Sequence, residues 1–438
     1  MRRTSRLVRL AVSLAIAGAR ATGTDAASPP PAPDAPSDLC EGLVRDRHPR
    51  PLSPLAAPAV GAAVVDPAFH TRIRRITAVP PSEGENAIIK PAYATMQAWN
   101  ADESKLLLWH RGRGHELYDG RTYAFLRRLE LVSPSDIEQV LWDPVDPDVL
   151  YYPSKYNAVP NLMRYRVSTN QSEILARLWF CPVDWGKSLS LGADPMYLSW
   201  GPEPRVVGLM CGDEKFLYDV TRGGLVSRAT IKSRNAAQPG PSGQLAYLDG
   251  RVYDRSLRAV RTLPLANPWE HSSLGRSART GHDLLNTVVF DHLPGGTSER
   301  EAGTLVSVDL STGEKRVIIG IANGYPYPPS GTHISSVAHK RPGWVAVSIV
   351  GDPRAPAVLH NELVLANVDS GAVCRVAHHR SFAGEGRWGY WAEPHVVISP
   401  SGTRFVFASD WGNGAAVDTY VVELPAYAGP AVSQPRAR

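Results

Sequence analysis

Cysteine is scarce in this 438-residue chain: Cys40, Cys181, Cys211 and Cys374 are the whole set, and no C-x-x-C pair occurs among them. That spacing excludes a zinc ribbon and a redox dithiol. No G-x-S-x-G, no P-loop and no glycine-rich dinucleotide fingerprint is present, so serine hydrolase, NTPase and dehydrogenase readings have no local support. Long apolar runs are also missing. The best one, Leu10 to Ala17, is too short to anchor a chain across a bilayer.

An excess of positive charge vanishes on inspection. The net charge is +5, from 47 Lys and Arg against 42 Asp and Glu, but residues 1–21 hold five Arg and no acid. Removing them leaves 42 against 42, a neutral chain, so nucleic acid loses its electrostatic argument as a partner. Those 21 residues have a basic start, an apolar middle and an Ala19-Arg20-Ala21 end, the pattern of a secretory signal. The expected location is therefore periplasmic or secreted, where an even set of cysteines can form disulfides. Cys181 and Cys211 are close enough in sequence to bridge neighbouring strands, and buried free thiols are the alternative. Residues 22–62, rich in Pro and Ala, read as a linker.

What is present in quantity is turn and strand. The chain has 37 Gly, 38 Pro, 16 Tyr and 11 Trp, with short apolar runs between Pro/Gly/Asp/Ser turns. A unit recurs: an opening residue, a turn, an apolar strand, then a second strand ending near Tyr-Asp or Val-Asp. The openings are Gln97, Gln139, Tyr197, Gln238, His271, His333 and His395. The earlier units repeat at roughly 40 residues, the period of a four-stranded blade. The spacing predicts an all-β, seven-bladed β-propeller over residues 63–425. A lone strand near Ile73 would complete the last sheet and close the ring. Residues 426–438 are expected as a flexible tail, and the expected state is a monomer.

Inner strands of a propeller begin near one mouth of its central channel, so equivalent opening residues converge. His271, His333 and His395 recur at intervals of 62 residues, and His271 and His333 each precede a turn glycine, Gly281 or Gly343, by ten. Three imidazoles aimed at one axis can bind a divalent metal. Glu393, two residues before His395, shares its side of an extended segment and adds an oxygen. Gln139 can face the same channel. An ordinary polar channel lining is the alternative, since no tight motif forces a metal.

Further candidates lie nearby. Ala377-His378-His379-Arg380 leads into a loop with Arg387, Trp388, Tyr390 and Trp391. Aromatic faces with Arg and His suit anionic sugars, and a hydrophobic plug between blades is the competing reading of the Trp residues. His110, His115 and Tyr118 form a weaker set, and His282 reads as a surface turn residue.

The stretch from His395 to Asp410, HVVISPSGTRFVFASD, resembles the H-x-x-x-SPDG-x-x-x-x-F-x-SD blade opening of TolB-like propellers. It is similar, more pointedly, to the oligogalacturonate lyases. That resemblance implies a divalent metal (Mn, Ca or Zn) at the propeller centre held by three His and one Gln. His395 matches the second His of the family's H-x-H pair and His333 the remaining His. Glu393 stands at the first His of the pair, and Tyr390 at the Gln. It further implies β-elimination on a uronic-acid glycan, with His271 as a fourth ligand, Arg387 binding carboxylate, and His379 or Tyr390 as base. A non-catalytic exported propeller that binds a protein or glycan is the competing class.

Overall fold

The computed structural model describes residues 38–154, 160–182, 189–201, 204–265, 267–290, 301–352, 357–383 and 386–429. The expected signal peptide, the first part of the linker and the tail from residue 430 onward lie outside the described residues. Seven antiparallel sheets follow one another around a ring. The expected all-β, seven-bladed propeller is the observed fold.

Each expected opening residue except Gln97 falls at or beside the innermost segment of its own blade; Gln97 lies between the first two strands of blade 1, next to the Trp99–Leu106 bridge. Blade 1 uses Ile89–Lys90, Lys105–His110, Gly114–Asp119 and Phe125–Arg128. Blade 2 runs from Leu141–Trp142 to Gln171–Arg177, and blade 4 from Gln238–Pro239 to Ala259–Thr262. Blade 3 has three full strands, Val206–Cys211, Glu214–Asp219 and Gly224–Thr230. A single bridge from Leu198 to Val207 takes the place of its inner strand. Blades 5 and 6 start at Ser272–Arg276 and His333–Ser335, and blade 7 at Val397–Ile398.

The 62-residue interval has a physical basis in how these inner strands are knitted. The Ser336 amide donates to Ser273 Oγ at 2.9 Å, and the Ile398 amide to Ser335 Oγ at 3.3 Å. Neighbouring inner strands thus hold a nearly constant offset, which brings equivalent openings to one level of the channel.

Blade 7 is closed by the chain's beginning. Arg72–Arg75 pairs with Asp418–Glu423 in the register Ile73 to Val422, and Ala63–Val65 adds a fifth strand outside it. Ile73 is fully buried, as is the whole of Arg404–Ser409, the apolar strand after the Ser399-Pro400-Ser401-Gly402 turn. Gly402 takes φ of 75° there, a left-handed conformation that a side chain would strain.

The Pro/Ala-rich stretch is tethered from Asp38 onward, which differs from a free linker. Cys40 is bonded to Cys374, Val44 bridges Arg375, and Arg375 ion-pairs with both Asp46 and Glu362. The carbonyls of Ser53 and Leu55 accept from Arg380 and Trp411. Proline and alanine carry no pattern that reveals such a strap, because its anchors are backbone carbonyls, one disulfide and the Asp46 ion pair. The second pair, Cys181–Cys211, also forms, so no described cysteine is free. Among the described residues no helix is long and apolar enough to cross a membrane.

Candidate functional site

His333 and His395 stand side by side at the channel mouth, with ring centroids 4.2 Å apart and neither exposed. Glu393 Oε2 lies 3.7 Å from His333 Nδ1 and 3.8 Å from His395 Nε2. One ligating atom from each of the three residues falls within 4.8 Å of the others. The backbone invests in this placement: His395 sits at φ of 41°, a left-handed conformation costing on the order of 1–3 kcal/mol for a residue with a side chain. Gly331, at φ of 72°, lets the neighbouring blade approach Glu393; a Cβ there would come 3.3 Å from its Oε1.

The hydrogen bonds define which nitrogens are free. His333 Nδ1 donates to the Gly331 carbonyl at 3.2 Å, which leaves Nε2 with the lone pair. The Nε2 atoms of both His333 and His395 are buried and unpartnered. A buried polar atom without a partner costs about 1–3 kcal/mol, so two on adjacent rings ask for a ligand. Burial, and then the neighbouring cationic or imidazole groups, hold both imidazoles well below their ordinary pKa. They are neutral at pH 7, the state that binds a metal. Burial pushes the Glu393 carboxyl up, with His271 and Lys90 opposing the shift.

Lys90 completes the cluster. It is fully buried, with Nζ 2.5 Å from His395 Nδ1 and 5.1 Å from the centre of the Tyr390 ring. Burial drives its pKa down, against the pull of Glu138 and Glu393. In its uncharged form the amine accepts the His395 Nδ1 proton and frees Nε2 as a lone-pair donor. The residues therefore fit a divalent cation, with an N₂O donor set that suits Mn or Zn better than Ca, which prefers oxygen throughout.

His271 is brought to the same mouth but not into the ligand group. Its ring stacks on His333 at 4.1 Å, and its Nδ1 donates to the Thr332 carbonyl at 2.8 Å. It lines instead a cavity of about 870 Å³ together with Tyr93, Glu138, Asp194, Arg234, Trp269 and Tyr390. One wall of this funnel is acidic and phenolic. Tyr390 OH donates to Glu138 Oε1 and Tyr93 OH to Asp194 Oδ2, both at 2.9 Å. Burial raises the Glu138 carboxyl and pushes Asp194 up to about 7. The other wall is cationic and aromatic, with Lys232, Arg234 and Trp269, whose side chain is 70% exposed.

Two expected catalytic residues are not brought to the funnel. His379 is fully buried in blade 6, donating from Nε2 to the Ile349 carbonyl and accepting at Nδ1 from the Ser381 amide. Desolvation holds it down to about 3, and no face remains for a substrate. Arg387 is exposed but lies over its neighbour Trp388, 5.0 Å from the ring centre, outside the cavity lining. Of the aromatic loop, only Tyr390 faces the funnel. Trp388 is buried with its indole donating to the Gly414 carbonyl, and Trp391 stacks on Trp109, so the plug reading holds for both.

Gln139 does line the funnel, as expected, but its amide is bonded to structure, donating to Ser190 Oγ and accepting from the Leu191 amide. His110 is bonded between Glu83 and Glu116, Tyr118 OH donates to Glu116, and His115 is buried against the Ile137 carbonyl. His282 sits in a partly exposed turn beside Asp309.

The funnel residues that the sequence reading missed share a position. Glu138, Asp194, Arg234 and Trp269 each precede a blade opening (Gln139, Tyr197, Gln238, His271) by one to four residues. The segment entering each inner strand crosses the mouth, and reading four residues ahead of every opening would have found them.

No protein-family model and no curated protein sequence matches the chain. Solved structures do match in fold. An oligogalacturonate lyase in complex with manganese is 16% identical, with a TM-score of 0.54, covering 87% of this chain and 99% of its own. A second oligogalacturonate lyase, from Vibrio parahaemolyticus, is 14% identical with the same TM-score, covering 83% and 96%. The chain has the seven-bladed propeller fold of these lyases. At such identity the likeness speaks for the fold.

Proposed function

We propose that this is an exported, monomeric, metal-dependent lyase that cleaves uronic-acid-containing glycans by β-elimination. The observation carrying the reading is the buried group of His333, His395 and Glu393, with one ligating atom of each within 4.8 Å of the others, packed behind His271 and Tyr390 of a funnel with unspent cations. His333, His395 and Glu393 would hold the metal, which when bound neutralises charge on the sugar's C6 carboxylate. Arg234 and Lys232 take over the carboxylate-binding role first expected of Arg387, because they line the cavity and Arg387 does not.

The base moves as well. Asp194, held near neutral pH by burial, suits removal of the C5 proton. As that C–H bond breaks, the C4=C5 double bond forms and the C4–O bond departs. Tyr390, expected as a base, is held protonated by burial and by the carboxylate it donates to, which suits protonation of the departing oxygen. Two disulfides support an oxidising compartment.

The second reading is a non-catalytic propeller that binds a protein or glycan through this mouth. It is favoured by Lys90, which already places an amine against His395. Elemental analysis of purified protein decides between them. Stoichiometric metal, reduced at least tenfold in Glu393→Gln and lost in His333→Ala/His395→Ala, supports the metal site. Ultraviolet-absorbing unsaturated products from polygalacturonate, lost in the same variants, support the lyase. No metal in the wild type, or full activity in the double variant, overturns it.

A further inference from the structure

A second concavity, of about 510 Å³, opens on the face opposite the histidines. The strand registers fix that placement. Ile398 pairs with Phe405, Arg404 with Glu423, and Glu423 with Arg72, so this pocket lies at the far end of blade 7 from His395. It occupies the seam where the chain's beginning closes the ring, between blade 7 and the Arg121–Tyr123 turn of blade 1.

Its lining is rich in arginine: Arg72, Arg74 and Arg121, with His70 beside them, against a single acid, Glu423. Glu423 is already engaged, with Arg74 Nε at 3.6 Å and Tyr123 OH at 3.3 Å. Arg74 also donates to the Gly61 carbonyl. The exposed guanidiniums of Arg72 and Arg121 make no hydrogen bond or close ion pair among the described residues, though Arg121 is near enough to Asp102 to help hold its carboxyl down. The walls are held firmly. Behind Tyr123, the buried Arg404 donates to its hydroxyl and pairs with Glu103.

The backbone adds an independent observation. Tyr123 adopts φ of 63° in a turn closed by its amide on the Asp119 carbonyl. The corresponding turns of blades 3, 5 and 6 place Gly223, Gly313 and Gly371 at that position, while those of blades 2 and 4 hold left-handed Asn170 and Leu257. A tyrosine there accepts strain that glycine avoids, which puts a phenol on the pocket wall. His70, on the opposite wall, is likewise left-handed at 61°.

We propose that this pocket is a second ligand site, for the carboxylate or sulfate group of an acidic saccharide. Two exposed planar guanidinium forks that make no hydrogen bond match a planar or tetrahedral oxyanion, and the volume exceeds what a lone ion needs and admits a sugar ring. The site uses no residue of the funnel, while the choice of an acidic saccharide as its ligand rests on the lyase reading.

The test is calorimetric titration of the intact protein with trigalacturonate and, separately, with inorganic sulfate, in wild type, Arg72→Ala/Arg121→Ala and His333→Ala/Arg234→Ala. The expected result is a saccharide-binding event that persists in the funnel variant and weakens at least tenfold in the arginine variant. Both variants should keep the wild-type thermal midpoint to within a few degrees. Sulfate competing for the same event supports recognition through the anionic group. Sulfate binding with no saccharide binding overturns the saccharide assignment. Saccharide binding that ignores the arginine substitutions, or disappears in the funnel variant, overturns the site.

Discussion

His379 and His395 are both fully buried imidazoles, sixteen positions apart, and they differ in what is left unbonded. His379 has both nitrogens satisfied by backbone; His395 has Nε2 open beside Glu393. A satisfied neutral imidazole contributes to stability in a pH-dependent way whose sign follows from its low folded pKa. Below about 6.5 the unfolded chain takes up a proton that the folded one refuses until about 3, so the stability His379 gives above 6.5 is lost as pH falls through that window. At pH 5 the loss reaches about 2 kcal/mol. Replacing His379 with Asn should therefore cost stability at pH 7 and progressively less toward pH 5, as read by denaturant titration at both values. A gap that stays constant would place the proton elsewhere. Sequence alone could not show which nitrogens are free, because each histidine lies where a loop meets a strand and only the tertiary partners tell them apart.

The elements were more legible than their contacts. The turn chemistry at Ser399–Gly402 and the apolar run after it gave a blade opening, and the glycines at 281 and 343 do take positive φ. Both follow from local sterics, which any chain of this composition obeys. Disulfide partners depend on tertiary placement and were not legible for Cys40 and Cys374, 334 residues apart. The two bridges do different work. Cys181–Cys211 ties the exit of blade 2 to the first full strand of blade 3, across 30 residues. Cys40–Cys374 fastens the N-terminal strap to the outer strand of blade 6. Replacing either pair by serines should lower stability by roughly 2–5 kcal/mol, with the larger effect at Cys40–Cys374 because it closes the longer loop. Denaturation midpoints of the two double variants check the order. Equal midpoints with wild type would mean that the bridges constrain nothing the fold does not already hold.

For the whole molecule, closure of the ring is the step on which the rest depends. A propeller avoids exposed sheet edges by bringing its ends into one blade. Here Arg72–Arg75 covers Asp418–Glu423, while blade 1 is joined to blade 7 by the Ile89 amide on the Val417 carbonyl and by Thr419 Oγ1 on the Ile89 carbonyl. The strap of residues 38–60 adds the Cys40 bond and several side-chain contacts, but no inner or middle strand. The two parts should separate on truncation. A chain beginning at Gly61 keeps both closing strands and should unfold in one cooperative transition, at a lower temperature than the full chain. A chain beginning at Thr77 loses Ile73 from the core and leaves the strand edge at Asp418–Glu423 bare, so it should aggregate or unfold without cooperativity. Calorimetry with light scattering on both truncations reads the difference. A cooperative, monodisperse chain from Thr77 would show that six blades and an incomplete seventh suffice, and that closure by the N-terminal strand is dispensable.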